Sequence, residues 1–82
     1  MYLAKITITL RASILDPQGK AVHHALESLG LKGIAELRMG KYIEMKINGG
    51  SGEEAERLTQ EACRKLLANP VMEDFSYSVE KL

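Results

Sequence analysis

Histidine and cysteine are the residues of this chain best suited to metal binding or nucleophilic catalysis. His23 and His24 are adjacent in a predicted helix, where neighbouring side chains point about 100° apart. No further histidine, clustered carboxylate pair or second cysteine completes a ligand set. Cys63 has no histidine at helical spacing to activate it. We therefore predict no metal site and expect Cys63 to pack as a small apolar side chain.

Two glycine-containing segments have partial likeness to phosphate- or RNA-binding motifs. Residues 48–52, Asn-Gly-Gly-Ser-Gly, follow a predicted strand but lack the lysine of a P-loop and the spacing of the dinucleotide-binding fingerprint. Gly40-Lys41-Tyr42 lies beside Ile43 and Met45, where an RNA-recognition strand would carry base-stacking aromatic residues. We expect the first segment to be a connector and the second not to bind RNA.

The composition argues against several classes of partner. The chain has 11 basic residues (Lys and Arg) and 11 acidic residues (Asp and Glu), so its net charge is near zero. No strong positive field is therefore available to attract nucleic acid or anionic lipid. The first residues alternate like a strand rather than forming a signal peptide, and no segment is apolar enough to span a membrane. A single cysteine fits a reducing compartment, so we expect a cytoplasmic protein.

The length of 82 residues predicts one domain, residues 1–82. Residues 3–10 alternate between apolar and polar side chains, as in a strand with one buried face. Asp16 followed by Pro17 is typical of a helix start, and Gly30 can close that helix, which we place at residues 17–29. Because a core this small is marginal, oligomerisation is expected.

The second half repeats this order. Residues 34–39 and 41–48 alternate as two strands, with Gly40 predicted to form a hairpin turn between them. Ser51 and Glu54 match a capping box, and Asn69-Pro70 ends the helix that follows. Residues 75–79 form the last strand. The order βαββαβ predicts an α+β, ferredoxin-like fold in which a four-stranded antiparallel sheet carries two helices on one face.

Three blocks of the chain resemble the PurS family, the small subunits of phosphoribosylformylglycinamidine (FGAM) synthase. They are residues 13–22 around Leu-Asp-Pro-Gln-Gly, residues 37–44 around Gly-Lys-Tyr, and residues 63–74, Cys-Arg-Lys-Leu-Leu-Ala-Asn-Pro-Val-Met-Glu-Asp. The resemblance extends over the whole chain in register. The glycine-rich connector at residues 48–52 departs from the family without breaking any of the three blocks.

The resemblance implies a non-catalytic assembly subunit of the ATP- and glutamine-dependent ligase that makes FGAM in purine biosynthesis. In that family a homodimer bridges a synthetase subunit and a glutaminase subunit; ATP and magnesium are used by the synthetase, and assembly is expected to assist ammonia transfer. No cofactor is expected on this chain. Pairing of dimers into tetramers stays open.

Two polar loops are the candidate partner-contact sites, because they match the family motifs and carry residues that folding alone does not require. Their residues are Asp16, Pro17, Gln18, Gly19, Arg38, Gly40, Lys41 and Tyr42. The alternative function is a small-molecule-binding regulatory module with the same βαββαβ order, the ACT-like arrangement. An autonomous enzyme or a nucleic-acid binder is a third possibility.

Overall fold

The computed structural model describes residues 1–82 and contains three strands, two α-helices and a π-helical turn. The α+β class is thereby confirmed. In chain order the elements are β1 (Tyr2–Leu10), α1 (Pro17–Ser28), β2 (Gly40–Ile47), α2 (Gly52–Ala62), the π-helical turn (Cys63–Leu67) and β3 (Glu73–Lys81).

The strands form one antiparallel sheet in the order β2-β1-β3. The central strand β1 places Ala4, Ile6 and Ile8 under α2 and the π-helical turn, and all three side chains are fully buried. Ile43 and Tyr77 lie opposite Ile6 on the two outer strands and pack against the same core. The alternation seen in the sequence therefore marks the buried face correctly.

The opposite face of the sheet is uncovered and polar. Lys5, Thr7 and Thr9 alternate with the buried residues of β1, and the Lys5 ammonium lies 2.7 Å from Glu80 on β3. The hydrogen bond to Glu80 raises the pKa of Lys5. Because this face is hydrophilic, it can contact water directly.

The predicted helix signals are confirmed with small shifts of boundary. The Ser51 hydroxyl accepts a hydrogen bond of 3.2 Å from the Glu54 N–H, as expected for the cap of α2. Gly30 follows α1 with a φ of 85°, the left-handed conformation in which glycine closes a helix. The π-helical turn at the end of α2 has no counterpart in our predictions.

The predicted four-stranded sheet is wrong for the single chain, which has three strands. Residues 34–39 pair with no strand, and Gly40 does not form a hairpin turn but begins β2 opposite Thr9. No turn or bend interrupts residues 31–39, so the segment leads into β2 without reversing. Alternation predicts extended backbone with two unlike faces, but it does not identify the strand with which that backbone pairs.

The predicted placement of both helices on the sheet is also wrong within one chain. Helix α2 packs on β1 and β3, whereas α1 makes no extensive contact with any strand. Residues 11–39, which we call the arm, leave the sheet at the end of β1 and return to it at β2. The radius of gyration is 16.2 Å, against about 12 Å for a compact chain of this length. The molecule is consequently elongated, 51 Å by 27 Å by 14 Å.

Candidate partner-contact site

The first candidate loop is organised around the Asp16 carboxylate, which is almost fully buried. One oxygen accepts a hydrogen bond of 2.8 Å from the Gly19 N–H and so caps helix α1. The other accepts 2.7 Å from the Met39 N–H, 23 residues further along the chain. Asp16 therefore joins the two candidate loops, which the sequence separates.

These two hydrogen bonds determine the ionisation of Asp16. Donation from Met39, followed by that from Gly19, lowers the pKa of the Asp16 carboxyl, and the nearby Arg38 charge acts in the same direction. Burial raises the pKa, but its effect is smaller than that of either hydrogen bond. Because the charged form is the one that is hydrogen-bonded, the carboxylate stabilises this junction while it is ionised.

Arg38 holds the loop between β1 and α1 rather than extending freely into solvent. Its guanidinium Nη2 donates to the Arg11 carbonyl at 2.8 Å and to the Ile14 carbonyl at 3.1 Å, with a longer contact of 3.4 Å to Leu10. Carbonyl groups in a loop have no ladder partner, and a planar guanidinium can satisfy several of them together. Folding therefore accounts for Arg38 without any partner.

Gly19 and Gly40 are explained by close contacts with the main chain. A Cβ atom at Gly19 would lie 2.8 Å from Cγ of Asp16 and 2.9 Å from the Leu37 carbonyl oxygen. A Cβ atom at Gly40 would lie 2.6 Å from the Ile8 carbonyl oxygen. Both glycines thus have a structural role, because neighbouring backbone approaches each of them and the Asp16 side chain also approaches Gly19.

The remaining four candidates are exposed. Pro17 and Gln18 lie on the first turn of α1. The Lys41 ammonium lies 3.5 Å from Glu73, and its side chain remains 55% exposed. Tyr42 is 58% exposed and its hydroxyl donates to Glu44 at 2.9 Å, which raises the pKa of Tyr42. These four residues are available to a partner.

The structure does not bring all of the exposed candidates together. Asp16, Gln18, Gly40 and Lys41 line one small cleft of about 210 Å³ at the end of the sheet. Tyr42 neighbours Thr7 on the polar face, because consecutive residues of a strand point to opposite sides. The second loop is therefore divided between two surfaces of the molecule.

Large exposed apolar side chains are a second set of contact candidates. Leu29 lies at the end of α1, with 76% of its surface exposed, and Leu66 reaches 83% on the π-helical turn. The periodicity of a helix sequence carries no information on whether the chain's own sheet or another molecule covers its apolar residues.

Of the residues with catalytic potential, Cys63 is buried in the core and His23 contacts the backbone. Cys63 is fully buried beside Ile6 and Ile8, and burial raises the pKa of its thiol. His23 Nε2–H donates to the Ile34 carbonyl at 2.7 Å. No three His, Cys, Asp or Glu side chains are grouped so as to hold a metal ion. No helix is both long and apolar enough to cross a membrane.

Comparison with known proteins places the chain in one family. The PurS model, described as phosphoribosylformylglycinamidine (FGAM) synthase, matches residues 3–81. The PurS subunit of FGAM synthase from Bacillus subtilis is 45% identical over 82 residues, covering 100% of this chain and 96% of that protein. The corresponding subunit from Methanocaldococcus jannaschii is 37% identical, covering 100% of this chain and 99% of that protein.

Solved structures agree with this result. The Bacillus subtilis PurS structure has a TM-score of 0.88 at 46% identity, covering 99% of this chain and 100% of that one. A chain in the structure of PurLQS from Thermotoga maritima has a TM-score of 0.86 at 25% identity, covering 98% of this chain and 99% of that one. On the evidence of sequence and fold over its whole length, this chain belongs to the PurS family of FGAM synthase subunits.

Proposed function

We propose that this chain is the non-catalytic assembly subunit of FGAM synthase in purine biosynthesis, where it bridges the ATP-dependent synthetase subunit and the glutaminase subunit. The observation that carries the proposal is the full-length match to a chain of the PurLQS structure. The fold supports it, because the motif residues that are buried maintain the shape of the chain and the others form exposed surfaces.

The proposal assigns the chemistry to the larger subunits. ATP and magnesium are used by the synthetase, glutamine is hydrolysed by the glutaminase, and this cytoplasmic subunit assists ammonia transfer through assembly alone. Its one thiol is buried with a raised pKa, the opposite of an activated nucleophile. We expect the isolated chain to have neither glutaminase nor ligase activity. The family match gives no support to the alternative regulatory module.

The proposal also includes a homodimer. The accessible surface of the chain is 5943 Å², whereas a compact monomer of this mass has about 4,900 Å². Part of the excess lies on the arm, where the apolar side chains of α1 have no sheet to cover. Exposed apolar surface on an extended arm favours association with a second copy. A mass equal to that of one chain at all concentrations would contradict this.

Reconstitution is the decisive experiment for the proposed function. The purified chain is mixed with both larger subunits, and FGAM formation with glutamine as nitrogen donor is measured. We expect synthesis only when all three components are present. Equal glutamine-dependent activity without this chain would refute the assembly role, and turnover by this chain alone would refute its non-catalytic character.

Pull-down with the synthetase and glutaminase subunits tests the exposed candidates. Lys41→Glu and Tyr42→Ala change two exposed side chains of the second loop, and Lys65→Glu is a charge reversal at an exposed lysine on the π-helical turn. We expect the first two variants to bind the larger subunits more weakly and the control to bind normally. The dimer mass and circular dichroism of each variant separate a lost contact from a lost fold.

The contrary result is that both variants are folded and dimeric and still bind the larger subunits as tightly as the unaltered chain does. That result would show that Lys41 and Tyr42 are not part of the contact surface. Lys41→Glu places a second carboxylate beside Glu73, so its binding is interpreted only after circular dichroism has shown that the variant is folded.

A further inference from the structure

The largest cleft of the chain lies at the end of the sheet where β1 finishes and β3 begins. Its volume is about 620 Å³, and Cys63, Ala68 and Phe75 give it an apolar lining. Most of its lining residues belong to the third motif block, residues 63–74, so the cleft is the feature that this block builds. The π-helical turn that supplies Cys63 and Arg64 is an irregularity often found at functional sites.

The loop between the π-helical turn and β3 forms one wall of the cleft and is extensively hydrogen-bonded. The Asn69 carboxamide oxygen accepts a hydrogen bond of 2.9 Å from the Val71 N–H. The Glu73 carboxylate accepts 2.8 Å from the Asn69 N–H, and Nη2 of Arg11 donates to the Pro70 carbonyl at 2.7 Å. A wall that is already ordered loses little conformational entropy when a partner binds to it.

The charges around the cleft are balanced except for one. Nε of Arg11 lies 3.4 Å from Asp74, and the Glu73 carboxylate lies 3.5 Å from the Lys41 ammonium. Arg64 lines the cleft, is exposed, and forms no ion pair within the chain. A guanidinium pairs well with a carboxylate. An apolar lining beside one unpaired guanidinium therefore suits an acidic side chain that is accompanied by an apolar one.

The cleft adjoins the candidate partner-contact site. Glu73 lines both this cleft and the smaller one that contains Asp16, Gly40 and Lys41. The Lys41–Glu73 ion pair thus joins the two clefts. A partner that contacts Lys41 can therefore reach into the larger cleft as well.

We propose that this cleft receives a segment of one of the two larger subunits in which a carboxylate side chain stands beside an apolar side chain. The carboxylate pairs with the Arg64 guanidinium, and the apolar side chain packs against Ala68 and Phe75. The inference rests on the proposed function and specifies the chemistry by which one larger subunit is recognised. Such a charge pair at the rim of an apolar contact contributes mainly to the choice of partner and its orientation.

Charge reversal at position 64 tests the ion pair. Arg64→Glu should raise the Kd for one of the larger subunits at least about tenfold. Arg64→Lys keeps the charge but not the fork of donors, so it should lose less. Lys65→Glu is the matched control, because it makes the same kind of charge change on the same turn at a residue that does not line the cleft. Both reversals remove a favourable cation from a helix end, so that loss cannot explain a difference in binding between them.

Carbodiimide coupling identifies the partner group directly. The reagent joins an amine to a carboxylate that is in contact with it, and it does not couple arginine. In the complex of the Arg64→Lys variant with both larger subunits, we expect an amide bond from position 64 to an aspartate or glutamate of a larger subunit, detected by mass spectrometry of peptides. Lys65 is the internal control and should not couple to a larger subunit. A coupled residue with no apolar neighbour in its own chain would overturn the apolar part of the proposal.

The possible results separate the docking cleft from the assembly role. If Arg64→Glu binds both larger subunits as tightly as the unaltered chain, or if position 64 couples to neither subunit in an assembled complex, the cleft is not a docking site and the assembly role stands. If Arg64→Glu instead lowers the mass of the isolated chain in light scattering, a second copy occupies the cleft and the proposal is overturned. Failure of the unaltered chain to bind either larger subunit would refute both.

Discussion

Replacing Gly19 with alanine should destabilise the chain, although alanine favours a helix. Within a helix this substitution ordinarily gains about 1 kcal/mol. Here the added Cβ would lie 2.8 Å from Cγ of Asp16 and 2.9 Å from the Leu37 carbonyl oxygen, about 0.6 Å inside the ordinary contact distance of about 3.5 Å. Asp16 cannot move away without losing the hydrogen bonds from Gly19 and Met39.

The net effect follows from these opposing terms. Overpacking of a rigid site costs about 1–3 kcal/mol, which exceeds the gain in helix propensity over most of that range. We expect the free energy of unfolding to fall by up to about 2 kcal/mol. The matched control is Gly52→Ala at the start of α2, where the nearest atom to the new Cβ is Cε1 of Tyr2 at an ordinary 3.7 Å. This control should be neutral or slightly stabilising.

The assay is urea denaturation at one fixed protein concentration, because the stability of an oligomer depends on concentration. A lower midpoint with an unchanged slope for Gly19→Ala would agree with the contact geometry. If Gly19→Ala were as stable as Gly52→Ala, the contacts between the first turn of α1 and residue 37 would not be rigid, and the assigned role of Gly19 would be wrong.

Three further predictions concern the same elements. Gly40→Ala should reduce stability more than Gly19→Ala, because its Cβ would meet the Ile8 carbonyl of the central strand at 2.6 Å; equal urea midpoints would contradict this. The folded-state pKa of Asp16 is lowered, so its contribution to stability is present above about pH 4 and is lost as the pH falls through the folded value. The difference in stability between the unaltered chain and Asp16→Asn should therefore shrink between pH 7 and pH 3, and a constant difference would exclude the carboxylate as its cause. Cys63→Ala should cost about 1 kcal/mol in packing and leave the activity of the reconstituted complex intact; complete loss in a folded variant would give the thiol a function.

Local signals in the sequence were sufficient for most of the elements. Asp16 and Ser51 cap the helices as predicted, and period-2 alternation correctly located β1, β2 and β3. These features depend on a residue and its near neighbours in the chain, so they can be recognised without tertiary contacts. The PurS motifs identified the family because residues in three separate blocks match together.

The roles of the motif residues could not be predicted in the same way. The hydrogen bond from the Met39 N–H has the largest effect on the pKa of Asp16. The Arg38 guanidinium contacts the loop that follows β1. Nothing in the spacing of these residues indicates that they meet, because the contact depends on where the arm returns to the sheet. The structure gives both residues a role in the folding of the chain, and their contact with a partner stays a prediction.

The sequence by itself determined that residues 34–39 are extended and two-faced, that a helix begins at Pro17 and ends before Gly30, and that the chain is a PurS subunit. Only the tertiary structure showed that Gly40 does not form a hairpin turn and that α1 does not pack on the sheet of its own chain. The physical reason is that a strand makes the same hydrogen bonds and apolar contacts with its own chain as with a second copy. Sequence alternation specifies an extended, two-faced backbone, and only the path of the chain at Gly40 shows that residues 34–39 pair with no strand of their own chain.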